Sequence, residues 1–206
     1  MYCILVAGPP ASGKSTLAAR LSARLGLPMA SKDELKEVLF DTLGFSSRQE
    51  KVALGVAAMA LLCAFAQAQM RVGKSFILEN NFEDVAKPPL QALLARYGYT
   101  PITLRMAGDP AVLYRRFLAR NASPERHRGH VVNDRYPEIG PGPAAPPPTL
   151  EGFIQGVTGR GMDRFAMSGP LLEVDATDLT RVDLEAIARW LASVGVAEAN
   201  ERRIST

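Results

Sequence analysis

The sequence predicts an α/β fold: a five-stranded parallel sheet with helices on both faces. Three observations carry that prediction. Short apolar runs alternate with helical periodicity along the whole chain, the pattern of repeated strand–helix–strand units. The first run, YCILVA at residues 2–7, is continuously apolar, as a central strand covered on both faces must be. It leads directly into AGPPASGKST (residues 7–16), a glycine-bounded loop that opens a helix.

The elements follow in order. In KSTLAARLSARLG, Leu17, Leu21 and Leu25 recur on one helical face and Gly26 is a natural stop. LPMA is a short second strand. Ser31 followed by Glu34 reads as a capping box opening a helix over KDELKEVLFDTL, and Ser47 followed by Glu50 opens a long helix to about Arg71, ended by Gly73. The Ala-rich stretch VALGVAAMALLCAFAQAQM is interrupted by Gly55 and Gln67 and closely flanked by charges, so it is expected to be a buried helix rather than a membrane span. SFILEN (75–80) is the third strand. The next helix carries Pro88 and Pro89 in its first turn or is kinked by them. TPITLRM (100–106) is the fourth strand, and DPAVLYRRFLARN begins a helix with Asp109 as N-cap and Pro110 at the first helical position. Periodicity is lost over residues 121–150, whose proline-rich part is expected to be loop with some polyproline II. PLLEVDAT (170–177) and DLEAIARWLASV supply the last strand and helix, with Trp190 on the apolar face. The closing AEANERRIST is expected to fray.

With 206 residues, the chain is expected to be one domain with a substantial core, residues 121–150 forming a lid or irregular insertion. A net charge of +3 does not by itself mark a nucleic-acid binder. The charge is unevenly spread, however: between Arg115 and Arg135 six arginines face only Glu125 and Asp134. Two cysteines make no disulfide framework, and Cys3 and Cys63 are expected to be buried thiols. The apolar start has no basic region before it and does not read as a signal peptide, which points to a cytoplasmic protein.

Gly8-x4-Gly13-Lys14-Ser15 is a complete phosphate-loop pattern. Gly8 and Gly13 let the loop curl so that its N–H groups, through Ala11 and Ser12, point inward at an anion, and the helix N-terminus adds its dipole. Lys14 is expected to reach the β- and γ-phosphates, Ser15 to ligate Mg²⁺ and Thr16 to contact the α-phosphate. The chain lacks the N-K-x-D pattern of a guanine-reading switch. A motor ATPase needs a strand ending in Asp, where this chain has Glu79. A kinase needs a carboxylate near the γ-phosphate, cations around the transferring group, and a lid that excludes water. Asp33, just past the second strand, is the best carboxylate, and Glu79 and Asn80 end the third strand on the same edge. Arg116 and Arg120, four apart, share one helix face, and Arg126 and Arg128 lie in the irregular segment. His127 and His130 lack further ligands for zinc and suit lid or substrate contacts better.

GPPASGKST, SKDELKEVLFDTLG, FILENNF, DPAVLYRRFLARN with ERHRGH, and LLEVDAT together resemble the small P-loop kinase-like ATP-binding proteins: polynucleotide 5′-kinases, chloramphenicol phosphotransferase and other adenylate-kinase-like phosphotransferases. The resemblance implies that Asp33 is the general base. Where polynucleotide kinases carry a phosphate-binding arginine three residues later, this chain has Lys36, which keeps the charge without the fork. It also implies that Arg116 and Arg120 are lid-hinge arginines and that Asp175–Thr177 lie near the adenine. The expectation is an ATP- and Mg²⁺-dependent kinase acting on a hydroxyl of a small molecule such as a nucleoside, sugar or antibiotic. In it, Asp33, Lys14, Arg116, Arg120 and Arg126 are catalytic, and Lys36, Glu79, Asn80, Arg128 and His130 contact the acceptor. The alternatives are a polynucleotide or RNA 5′-hydroxyl kinase and a non-enzymatic nucleotide-binding switch.

Overall fold

The computed structural model describes residues 1–140 and 146–196. Five strands, β1 (Tyr2–Ala7), β2 (Met29–Ser31), β3 (Phe76–Glu79), β4 (Thr100–Ala107) and β5 (Leu171–Asp175), form one sheet in the order β2-β3-β1-β4-β5. All of its pairings are parallel. From β1 the chain runs to the β2 edge, returns through β3, and then passes β1 to build β4 and β5. The winding direction therefore reverses beside β1, which opens a crevice at the carboxyl ends of the strands.

Alternation along β1 divides the core. Ile4 and Val6 face α1 (Lys14–Leu25) and α8 (Leu184–Ser193), where Leu17, Leu21, Ile187 and Leu191 meet them. Cys3, Leu5 and Ala7 face the other way, towards α3 (Arg48–Arg71) and α4 (Lys87–Tyr97), which contribute Leu62, Ala66, Leu90 and Leu94. As the periodicity predicts, Trp190 packs beside the first of these clusters. Pro88 and Pro89 sit in the first turn of α4, where their missing N–H groups cost nothing. Asp109 caps α5 (Pro110–Ala122) by accepting from the Ala111 and Val112 N–H groups.

Four expectations change. Ser47 caps α3 through the Glu50 N–H, but Ser31 does not cap α2 (Lys32–Leu43): its hydroxyl is drawn to Glu79 instead. The apolar helix α3 is buried along one row only, Ala58, Leu62, Ala66 and Met70, while Val52, Val56 and Leu61 are exposed. It is long and apolar enough to cross a membrane by length and composition, yet here it packs against α2, α4 and the sheet. Of the cysteines, Cys3 is buried but Cys63 only half-buried, and both are free. Finally, two helices arise where periodicity was lost or unassigned: the short α6 (Arg128–Val131) and α7 (Leu150–Thr158). Gly152 and Gly156 weaken the helical signal of α7, and its formation depends on packing Phe153 and Val157 against Leu113 of α5. Part of the proline-rich stretch (141–145) and the closing residues 197–206 lie outside the described residues.

One aromatic cluster attaches the segment after α5 to α2. The fully buried Phe40 ring contacts Phe45, His127, His130 and Tyr136, at centroid distances from 5.3 to 6.2 Å. Gly129 lies directly against that ring, and a Cβ there would stand 2.3 Å from Phe40 Cδ2. Gly129→Ala is therefore expected to destabilise the protein by about 1–3 kcal/mol, as overpacking does. Urea unfolding of the two proteins checks it; an unchanged midpoint would show that the segment accommodates the methyl group.

Candidate active site

The loop after β1 is shaped by three residues with positive φ: Gly8 (139°), Ala11 (63°) and Gly13 (84°). Gly8 is required twice over, since a Cβ there would also meet the Met106 carbonyl oxygen at 2.3 Å. Ala11 holds a left-handed conformation that costs an L-residue about 1–2 kcal/mol. Ser12 is fully buried and its hydroxyl has no partner, an orphaned donor inside the loop. Lys14 is also buried; its Nζ donates to the Pro9 carbonyl (2.8 Å). Burial pulls the Lys14 pKa down, opposed by Glu79 and Asp33.

Strand register decides what stands beside the loop. Val6 pairs with Glu79, and Glu79 pairs with Ser31, so the last residues of β2 and β3 flank the exit of β1. Glu79 is buried, accepts a hydrogen bond from Ser31 Oγ (2.6 Å) and another from Ser15. Burial pushes its carboxyl up, against the opposing pull of Lys14 and Ser31. Glu79 thus belongs with the loop and its serines.

Helix α2 presents a ridge of carboxylates four residues apart, Asp33, Glu37 and Asp41. The segment after α5 lies along it. Arg126 approaches Asp33 (3.6 Å) and Glu37 (3.8 Å), His130 Nε2 pairs with Glu37 (2.8 Å), and His127 Nε2 pairs with Asp41 (3.0 Å), which also accepts from the Tyr136 hydroxyl (2.7 Å). Asp33 keeps 47% of its side chain exposed towards the crevice. Burial raises its pKa, but the surrounding cations outweigh it and hold the carboxyl below its usual range. Burial, with Arg126 and Lys36 nearby, pushes His130 down to about 3, so it is neutral at pH 7 and Arg126, Lys14 and Arg120 are the cations that act on Asp33.

Lys14, Ser15, Asp33, Lys36, Glu79, Asn80, Arg120, Arg126 and His130, all expected in the site, line one cleft of about 190 Å³. The Nε groups of Arg120 and Arg126 are buried there without a hydrogen-bond partner. Gly8, Ala11, Ser12, Gly13 and Thr16 belong to the loop and its helix start rather than to the cleft wall, and four expected residues from elsewhere in the chain are not brought into this cleft. Arg116 extends to the turn after β5, donating to the carbonyls of Ala176 (2.5 Å) and Thr177 (2.7 Å), so its guanidinium is a tie between α5 and that turn. Asp175 and Thr177 form the same turn, with Thr177 N–H donating to Asp175 and its hydroxyl accepting from Asp109 N–H. Arg128 forks onto Glu138 (2.7 and 2.8 Å). Sequence reasoning missed Ser31, which reads as a cap, and Glu37, whose spacing of four from Asp33 already places it on the same face. It also missed Asn81 and Phe117, which complete the cleft.

Lys51 was not anticipated either. It is 4% exposed, and its ammonium donates to the carbonyls of His130 (3.0 Å) and Val132 and to Asn133 Oδ1 (3.2 Å), tying α3 to the end of α6.

A phosphate loop at the switch point of a parallel sheet, in one cleft with a carboxylate and two arginines whose Nε groups are unpaired, defines a P-loop, kinase-like protein. Residues 3–135 match the family model AAA_33, described as an AAA domain, and the chain belongs to that family. No curated protein matches it significantly. Among solved structures it is similar to a candidate kinase from Chloroflexus aurantiacus J-10-fl, with 35% identity, a TM-score of 0.77, and 94% of this chain and 97% of that one covered. It shares its fold with a tunicamycin resistance protein from Deinococcus radiodurans (17% identity, TM-score 0.53, coverage 97% and 99%). A gluconokinase from Sinorhizobium meliloti 1021 shares it likewise (16% identity, TM-score 0.51, coverage 100% and 98%).

Burial, reinforced by Lys36, Arg48 and Arg126, lowers the Lys51 pKa to about 8. The folded protein then releases this proton near pH 8, the unfolded chain only near about 10.4. Between those values the unfolded state binds more protons, so stability rises with pH. The urea midpoint of the wild type is expected to climb relative to Lys51→Met over that interval. Parallel pH dependence in the two proteins would show that Lys51 does not titrate there.

Proposed function

We propose that the protein is an ATP-dependent kinase that phosphorylates a hydroxyl group of a small molecule. The observation that carries this reading is the cleft itself: Asp33, Lys14, Ser15, Arg120 and Arg126 line it together, and Arg126 lies 3.6 Å from Asp33. The loop fits a polyphosphate, since Ser12 Oγ, Arg120 Nε and Arg126 Nε are buried donors with nothing to donate to. Gly8, Ala11, Ser12, Gly13 and Thr16 form the phosphate cradle, and Lys14 turns from Pro9 to the phosphates. Ser15 and the adjacent Glu79 are the residues suited to hold Mg²⁺, one hydroxyl and one carboxylate oxygen being a usual protein share for that ion. Bound Mg²⁺ supplies charge neutralisation on the phosphate oxygens.

In the transfer the acceptor oxygen forms a bond to the γ-phosphorus as the bond to the bridging oxygen breaks, leaving that electron pair on ADP. The hydroxyl proton passes to Asp33. A carboxylate held below its usual pKa is a weak base but remains ionised, which suits a loose transition state in which the proton moves late. Arg120 and Arg126 carry charge on the transferring group, and the segment from Ser123 to Ile139 acts as the lid that keeps water away. Lys36, Asn80 and His130 contact the acceptor. The turn at Asp175–Thr177, fixed by Arg116, bounds the site of the base.

The polynucleotide reading is disfavoured by one observation. Arg126, His127, Arg128 and His130 all face carboxylates of this chain, so the basic segment is largely neutralised internally. Binding of a short oligonucleotide that weakens steeply with salt would revive it.

An acceptor screen with γ-labelled ATP tests the activity. Asp33→Asn is expected to lower kcat by roughly 10²–10⁴ while nucleotide affinity is kept; full transfer by that variant removes Asp33 as the base. The acid limb of the pH–rate profile is expected below a pH of about 3.9, the unperturbed aspartate value, because the neighbouring cations hold Asp33 down.

A further inference from the structure

Glu37 stands one turn behind Asp33 on α2 and outside the cleft wall, yet it faces two residues that line the cleft, Arg126 and His130. Its Oε1 lies 2.8 Å from His130 Nε2, and the same oxygen lies 3.8 Å from Arg126 Nη1. The neutral His130 donates its Nε2–H there, which keeps that oxygen from closing on the guanidinium.

Arg126 is therefore held by charge and not by hydrogen bonds. Asp33, its other carboxylate, is 3.6 Å away, and both distances exceed a hydrogen bond. Its Nε is buried with no partner. Only 14% of the side chain is exposed, so little water reaches it. Two residues further on, Arg128 shows a seated guanidinium, forked onto Glu138 at 2.7 and 2.8 Å. Resting on the kinase reading above, we propose that Glu37 is a positioning residue: it holds Arg126 loosely on α2, partly drawn off Asp33, until the γ-phosphate of the nucleotide takes the guanidinium over.

The physical reason is competition between anions. A terminal phosphate carries more charge than a carboxylate, and its oxygens match the guanidinium fork. It therefore wins Arg126 from contacts of 3.6 and 3.8 Å. The departure of Arg126 uncovers Asp33, so the base is freed only once the phosphate donor is bound. Releasing Arg126 from Glu37 opposes ATP binding, and removing the Glu37 charge then strengthens it. ADP has no γ-phosphate and does not call on Arg126 in this way. A carboxylate that only supported the fold would give no gain of affinity when neutralised.

Calorimetric titration of the whole protein with a non-hydrolysable ATP analogue and with ADP tests this without an acceptor. Glu37→Gln removes the charge and keeps an Oε1 for His130. This variant is expected to bind the ATP analogue about threefold or more tightly than the wild type, and ADP with the affinity of the wild type. In an Arg126→Met background the same substitution is expected to bring no gain. Unchanged or weaker binding of the analogue, an equal gain for ADP, or a gain that persists in Arg126→Met overturns the inference. A wild type that binds neither nucleotide sinks the kinase reading itself, a result read from the wild-type titrations alone.

Discussion

The desolvation of β1 is the constraint on which the rest of the structure depends. Cys3 to Ala7 are fully buried, with a strand on either side and helices on both faces. No polar side chain is tolerated along that strand, so the chain's first opportunity to place polar groups comes where it leaves the sheet. That exit lies at the switch point, and the two parallel neighbours bring their own last residues to it. Lys14, Ser31 and Glu79 are consequently buried together: Ser31 donates to Glu79, Lys14 donates to the Pro9 carbonyl, and Lys14 and Glu79 act on each other through their charges. Lys14 and Glu79 are displaced from their ordinary titration ranges by the same burial, one downward and one upward, and each is partly restored by the other.

The side of the cleft opposite the loop is organised differently. It rests on a helix ridge and an aromatic cluster rather than on the sheet. Phe40 supplies the apolar attachment for the segment from Arg126 to Tyr136, while Asp33, Glu37 and Asp41 supply the polar one. Exposed ion pairs of this kind contribute little individually. The buried ring and the buried ammonium of Lys51 are the stronger attachments, because removing either leaves apolar area or backbone carbonyls without their partners. A loop half built on the sheet and a second half built on helices thus meet at one cleft.

The division of the arginines follows from their partners. Arg116 and Arg120 share a helix face, yet one turn of α5 separates their fates. Arg116 reaches the carbonyls that end β5 and is spent on structure, whereas Arg120 reaches the cleft and keeps its Nε unpaired. Arg126 and Arg128 are two residues apart and so point to different sides of their segment, one towards Asp33 and one towards Glu138.

The sequence by itself determined the sheet, the order and type of nearly every regular element, and the phosphate loop with its helix. These depend on local periodicity, on glycine and proline chemistry, and on apolar runs, all of which act over a few residues. Asp33, Lys36, Glu79, Asn80, Arg120, Arg126 and His130 were also legible as candidates because each follows a strand end or sits in the basic segment. Only the tertiary structure decided which of the candidates meet. Whether Ser31 caps a helix or holds Glu79 depends on the register of β2 against β3. Whether Arg116 or Arg120 faces the phosphate cleft depends on where the β5 turn lies, some sixty residues further along the chain. Helix α7 forms because Phe153 and Val157 find Leu113, a contact that no local pattern encodes. A side chain's residue type limits what it can bind, but its partner is chosen by distance, and distance between remote segments exists only once the chain has folded.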